Sequence, residues 1–291
     1  MRRVLIVGAG SYVGTSVQKH LEQWPDRFEV SVVDTLGGDW EKADFSAFDT
    51  VYHVAGIAHS DVKKISEEQK SRYYAINTDL AVNVAAKAKE AGVKQFIFMS
   101  SAIIYGESAP VGKEKIITAE TGYSPANCYG DSKVQAEIGL KKLEDDGFKL
   151  VILRCPMIYG KGSKGNFPVL KKLALKMPLF PKVNNQRSML YIGNLAEFVR
   201  LMIENEEKGV FWPCNREPAN TGELVRMIAA AHGKKTVLIP GFGWLLKLMS
   251  HFTGLVNKAF GSLTYEKGLG DYKTDYRLFS LEQSIKETES P

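Results

Sequence analysis

Along the first two-thirds of the chain, short apolar runs alternate with stretches whose apolar residues recur at helical spacing. The runs at 3–7, 28–34, 50–54, 95–100 and 149–154 read as strands. Helical patterns lie between them at 12–23, at the Ala-rich 78–90 ended by Gly92, and at 129–144 closed by Gly147. Alternation of this kind predicts βαβ units and a parallel central sheet, hence an α/β fold. After Gly160 the pattern loosens, and Gly, Pro, Asn and Lys become frequent up to about Arg187, as in loops and a short helix lining a site. Further helices are expected at 194–204 and 222–232. The segment 242–260 is strongly apolar, with Trp244, Leu245, Leu248, Met249, Phe252, Leu255 and Val256 near helical spacing. Lys247, His251 and Lys258 make it too polar to cross a bilayer. It fits a helix packed over the domain or at a dimer seam, with a position on a membrane surface as the alternative.

The first strand runs directly into Gly8-Ala9-Gly10-Ser11-Tyr12-Val13-Gly14 and then a helix. Glycine is needed where the backbone turns sharply and must approach a pyrophosphate without an intervening Cβ. The helix start then offers amides and a positive dipole end to the phosphates. Asp34 ends the second strand twenty residues beyond Gly14. A carboxylate there can accept from both ribose hydroxyls and would repel a 2′-phosphate, which favours NAD over NADP. On its own, Asp34 could equally cap the turn before Gly37-Gly38.

Tyr129-Gly130-Asp131-Ser132-Lys133 opens another predicted helix. Residues four apart share a helical face, so the Lys133 ammonium can lie near the Tyr129 hydroxyl. A tyrosine is a poor base at neutral pH unless a nearby positive charge favours its phenolate. Tuned in that way, it becomes a general acid–base.

Length and composition agree with this reading. At 291 residues, 44% hydrophobic and 24% charged, the chain is long enough for one large domain and a smaller lobe. Cys128, Cys155 and Cys214 form no CxxC pair, which fits a reducing compartment and argues against a metal site. The N-terminus is basic then apolar, but its apolar run stops after four residues at Gly8, too soon for a signal peptide. No stretch is long enough for a transmembrane segment, and a cytoplasmic location is expected. The net charge of +5 is unevenly spread: residues 161–187 carry seven basic residues and no acid. That stretch is either a solvated face or a funnel for an anionic substrate such as a diphosphate. No nucleic-acid motif accompanies it.

Several ordered pieces together resemble an extended short-chain dehydrogenase/reductase of the nucleotide-sugar epimerase/dehydratase type. They are GAGSYVG (8–14), Asp34, HVAG (53–56), Asn77, SSAIIYG (100–106), YGDSK (129–133), LRCPMIYG (153–160) and RSMLYIGNLAEFV (187–199). The resemblance implies a doubly wound Rossmann domain at 1–160 and a smaller, mainly substrate-binding lobe at 161–291 interleaved with it. It implies NAD as cofactor, a nucleotide-sugar substrate (a UDP-sugar foremost) and a homodimer paired through the YxxxK helix. It also assigns roles. Ser101, with Ser100 as fallback, would hydrogen-bond the reacting sugar hydroxyl. Tyr129 would be the base and acid, and Lys133 would hold the nicotinamide ribose and lower the Tyr129 pKa. Gly8, Gly10, Ser11, Tyr12, Val13 and Gly14 would take the pyrophosphate. Asp44 and Phe45 would reach the adenine, Ala55 and Gly56 would pass beneath the dinucleotide, Asn77 would brace the sheet, and Pro156 would meet the nicotinamide. Asn166 and Arg187 would bind substrate, Arg187 on the diphosphate. Three features depart from the family pattern: Ser11 replaces the usual middle glycine, 34–49 is short for a helical crossover, and Cys128, assigned no chemistry, stands where many relatives have proline.

Dehydratases of this type place an Asp-Glu pair after the active-site Ser or Thr, whereas Ala102-Ile103 here cannot transfer a proton. Two reactions remain. An epimerase would oxidise C4 by hydride transfer to NAD and re-reduce it on the other face. A reductase would use NAD(P)H on a 4-keto nucleotide sugar. A non-catalytic dinucleotide-binding protein is the third reading, although such proteins usually lose the tyrosine or lysine kept here.

Overall fold

The computed structural model describes residues 1–58, 66–250 and 254–290, and gives only the backbone of Gly254 and Leu255. The chain forms two compact units. The first comprises Met1–Gly106, Gly122–Cys155 and Leu195–Pro213; the second comprises Glu107–Thr121, Pro156–Asn194 and Cys214–Pro291.

The first unit is built on a six-stranded sheet. From edge to edge its strands are Gly209–Phe211, Lys149–Cys155, Gln95–Ser101, Thr50–His53, Arg2–Val7 and Phe28–Val33, and every neighbouring pair is parallel. Five of these match the expected strands to within a residue or two. The sixth, Gly209–Phe211, is three residues long and too short to carry a period of its own. The inner strands are apolar on both faces because helices cover both faces of such a sheet, and Thr50–His53 is buried throughout. On one face Leu5, Val7, Val51, Phe96 and Phe98 pack against Val84 and Ala88 of the helix Leu80–Glu90.

The connection 34–49 explains the strand order. It holds only a tight turn at Leu36–Gly38 and a four-residue helix, Asp39–Lys42, as its shortness led us to expect. The chain passes from Arg2–Val7 to Phe28–Val33 on one side and then to Thr50–His53 on the other. The winding therefore reverses between the first and third strands, and ligands of open α/β sheets bind at the carboxyl ends beside such a reversal.

Before Leu80–Glu90 lie a helix not foreseen from the pattern, Glu67–Tyr74, and a widened π-turn, Ala75–Asp79, that carries Asn77. The helices Tyr12–Leu21, Cys128–Lys141, Ile192–Glu204 and Thr221–Ala231 fall on the expected segments, whereas Leu281–Glu289 was not foreseen.

The second unit has its own core, with Tyr159, Phe167, Leu170, Phe180, Leu224 and Ile228 buried together. Three short parallel strand pairs surround it: Met157–Tyr159 with Met189–Tyr191, Leu179–Pro181 with Val237–Ile239, and Ile116–Ile117 with Thr264–Tyr265. Within the expected apolar helix at 242–260, the described residues form the helices Gly243–Ser250 and Gly254–Phe260. His251 and Phe252 lie outside the described residues, as does the Leu255 side chain. Among the described residues no helix is long and apolar enough to cross a membrane.

Candidate active site

The glycine turn sits at the reversal of the sheet. Gly8 follows the first strand with φ +124°, and a Cβ there would come within 2.7 Å of the Ala55 amide nitrogen. Only glycine lets these two strand ends approach, and the cradle so formed joins the turn to Ala55-Gly56. The structure also resolves the departure at Ser11. Gly10 takes the left-handed conformation (φ +68°), and Ser11 then caps the helix Tyr12–Leu21, its hydroxyl accepting from the Gly14 amide at 3.1 Å. Serine thus serves as the helix cap, and the first-turn amides, Val13 among them, begin at the mouth of the cradle.

Asp34 lies just past the second strand, half-buried. Its Oδ1 accepts from the amides of Thr35 and Leu36, so it does cap its turn, while Oδ2 receives no hydrogen bond among the described residues. One oxygen fixes the carboxylate and the other stays open to a hydroxyl donor. Asp44 is exposed, and its Oδ1 accepts from both the amide and the hydroxyl of Ser46, which hold its pKa below the usual carboxylate range. The Phe45 side chain is core, 5.1 Å beneath the Lys87 ammonium, so only its backbone could meet an adenine.

Tyr129 and Lys133 lie on the first turns of Cys128–Lys141, whose start is capped by Asn127 accepting from the Gly130 amide at 2.9 Å. A Cβ on Gly130 would come within 2.9 Å of the Ile103 carbonyl. This glycine therefore lets the helix close on the turn that follows Ser101. As a result, Ser101 and Tyr129 meet. Desolvation pushes the phenol pKa up from its ordinary value, and a hydrogen bond from the Ser101 hydroxyl pulls it back. Ser101 as a hydrogen-bond partner of Tyr129 was not foreseen from the spacing of Tyr129 and Lys133. The Lys133 ammonium donates to the Met99 carbonyl at 2.9 Å and stands 4.6 Å over the Phe98 ring. Its own pKa falls to about 8, because burial disfavours the charged form.

Asn77 ties the parts together. Its amide exchanges hydrogen bonds with the backbone of Ile57, at 2.9 and 3.0 Å, and donates to the Ser132 hydroxyl at 3.0 Å. Gly56 lies against both Asn77 and Lys133, since a Cβ there would be 3.1 Å from one side chain and 3.4 Å from the other.

Sequence reasoning missed a layer beneath these residues. Glu137, one turn beyond Lys133, is fully buried. It accepts from Arg154 at 2.7 Å, from the Tyr123 hydroxyl at 2.8 Å and from Ser100. Arg154 also donates to the Tyr105 hydroxyl at 2.8 Å. Burial works against the guanidinium, but Glu137 overcomes it and raises the Arg154 pKa. The visible signal was an arginine inside an otherwise apolar strand, KLVILRC. His53 was missed too. It is buried, stacked 5.9 and 6.1 Å from Phe96 and Phe98, with neither ring nitrogen bonded among the described residues. Burial and the Lys133 charge lower its pKa to about 3.

All these residues belong to the first unit. Pro156, Asn166 and Arg187 belong to the second. Pro156 is buried just after the strand Lys149–Cys155, and Asn166 is exposed at the start of the helix Asn166–Lys176. Arg187 is half-buried and pinned: its backbone exchanges hydrogen bonds with Ala219, and its guanidinium donates to the Lys258 carbonyl.

A cradle only glycine can form, a carboxylate with a spare oxygen and a buried ammonium beside Gly56 together fit a dinucleotide. No cluster among the described residues could hold a metal ion. The model of the NAD dependent epimerase/dehydratase family matches residues 4–212. The UDP-glucose 4-epimerase of Vibrio cholerae is 32% identical over 286 residues, spanning 90% of this chain and 86% of its own. The N-acetyl-alpha-D-glucosaminyl-diphospho-ditrans,octacis-undecaprenol 4-epimerase of Escherichia coli O157:H7 is 29% identical over 252 residues, spanning 80% and 73%. Among solved structures, the UDP-glucuronic acid 4-epimerase from Bacillus cereus in complex with NAD matches with a TM-score of 0.74 over 99% of this chain and 95% of its own. Its identity is 18%, a likeness of fold.

Proposed function

This chain belongs to the NAD dependent epimerase/dehydratase family and is an NAD-dependent enzyme of it; from that premise we propose that it epimerises a sugar linked through a diphosphate, at C4. The observation that carries the reading is the hydrogen bond between the Ser101 hydroxyl and that of Tyr129, which stands on the helix that also carries Lys133 one turn further on. Bound NAD would supply the hydride acceptor and donor at the sugar carbon. Gly8, Gly10, Val13 and Gly14 would hold its pyrophosphate, Asp34 its ribose and Lys133 the ribose at the nicotinamide end.

In this reading Tyr129 removes the proton of the C4 hydroxyl during oxidation and returns it to the C4 oxygen after the sugar has turned. Ser101 donates to that oxygen while it is a carbonyl, and its bond to Tyr129 favours the phenolate when the proton is due to leave. Ala102-Ile103 offers no group to take a proton from a neighbouring carbon, so water is not eliminated. Arg187 would serve the diphosphate, and Asn166 would bind the substrate. The names of the two curated relatives both describe 4-epimerases, of a UDP-sugar and of a sugar on a polyprenyl diphosphate, which supports reaction at C4 of a diphosphate-linked sugar.

The test is incubation of the purified protein with UDP-glucose and UDP-N-acetylglucosamine, products resolved by chromatography, without added NADPH. C4 epimers should appear, and Tyr129→Phe should slow them by on the order of a hundredfold or more. Turnover only when NADPH is supplied, or full rate in Tyr129→Phe, would overturn the proposal.

A further inference from the structure

The second unit carries a face whose chemistry the reaction does not use. Its core is covered by elements that show apolar residues outward as well as inward. In Val237–Ile239 and Leu179–Pro181, Leu238 and Phe180 pack on the core while the register partners Val237 and Leu179 are 59% and 53% exposed. Four residues after Ile239 begins Gly243–Ser250. Leu246 anchors this helix in the same core, whereas Trp244 and Leu248, four apart and so on one helical face, are 70% and 51% exposed. Phe242 and Met249 flank them and are also exposed.

The segments that carry these residues are themselves basic, and the nearby acids Glu223 and Glu289 are paired, the first with Arg226 and the second with Lys171 and His232. No Asp or Glu occurs at 147–196 or at 224–265, the two stretches that the pairing of Leu179–Pro181 with Val237–Ile239 brings together. The exposed lysines Lys176, Lys182 and Lys235 belong to them and form no ion pair among the described residues. The Lys182 amide donates to the Ile239 carbonyl, and the Lys234 ammonium to the Leu175 carbonyl, so lysines border both strands.

We propose that this face docks on an anionic lipid surface. Charge complementarity selects that occupant. A two-fold contact would set the unpaired lysines of one copy against those of another. An anionic leaflet, by contrast, attracts the lysines while an aromatic and leucine ridge enters the headgroup region, with tryptophan at the boundary. The inference needs no particular reaction.

The experiment is co-sedimentation of the full chain with phosphatidylcholine vesicles, with and without a third of phosphatidylglycerol. Binding should require the anionic lipid and weaken with salt. Trp244→Ser with Leu248→Ser should weaken it roughly tenfold or more, and Lys176→Gln and Lys235→Gln roughly fivefold each. All four positions are exposed, so the thermal midpoint should not move. Equal or absent binding to the two vesicle types overturns the proposal. So does a dimer that Trp244→Ser dissolves in the absence of vesicle binding, which would assign the face to a second copy of the chain.

Discussion

Lys133→Met should make the cofactor-free protein more stable at neutral pH while abolishing its activity. The Lys133 ammonium is buried, and its pKa falls from 10.5 to about 8, chiefly through burial, with Glu137 offsetting part of the effect. A drop of about 2.5 units at roughly 1.4 kcal/mol each means that the folded state carries a penalty of about 3 kcal/mol when both states are protonated. Methionine has similar volume and no charge. Its substitution removes that penalty and also the hydrogen bond to the Met99 carbonyl, worth about 1 kcal/mol. The balance is a gain of about 2 kcal/mol at pH 7. The sign with pH is definite. A lysine whose folded pKa is depressed destabilises fully below the folded value, and the penalty disappears as pH rises from about 8 to 10.5. Urea unfolding followed by tryptophan fluorescence at pH 7 and pH 10 measures this. The advantage of the variant should be present at the first pH and gone at the second. A variant less stable at pH 7, or an advantage unchanged at pH 10, would refute the reasoning.

His53→Phe should stabilise the protein at acid pH. The folded His53 titrates at about 3 against an ordinary 6.5, so wild-type stability is complete above 6.5 and lost as pH falls toward 3, by about 2 kcal/mol at pH 5. Urea midpoints of the variant should lack that loss, and an identical pH slope in both proteins would count against it. Glu137→Gln should destabilise by about 3 kcal/mol, because it leaves the buried Arg154 charge unpaired, whereas Glu137→Met with Arg154→Met should recover much of the loss. A double-mutant cycle reads this directly, and additive losses would deny the coupling. Burial works against the Glu197 carboxylate, yet Arg200 and His20 hold it at about 2 rather than 4.5. Its share of stability is therefore present above pH 4.5 and lost as pH falls through that window. Glu197→Gln should flatten acid unfolding there, as far-ultraviolet circular dichroism would show.

The features legible in the sequence are those decided within a few residues. The strand runs, the helix periods, the strand–glycine–helix turn and the spacing of Tyr129 and Lys133 need only local geometry, and each lies where the pattern places it. Other features needed distant partners. Gly209–Phe211 is a strand only because Val151–Leu153 stands beside it. The segment 242–260 has helical spacing, and the partly exposed helix Gly243–Ser250 within it shows that apolar period alone does not fix what a face meets. Ser101 became Tyr129's partner because Gly130 lets two segments approach to backbone contact. Lys133 was expected to tune Tyr129 because the two share a helical face. The fold also ties the ammonium to the Met99 carbonyl, on a strand more than thirty residues away, which the spacing could not show. A sequence by itself determines which groups are available and how the chain turns locally. Which of them touch, how deeply they are desolvated and therefore where they titrate is decided by tertiary packing, because burial and partner distance are properties of the folded arrangement and not of any one segment.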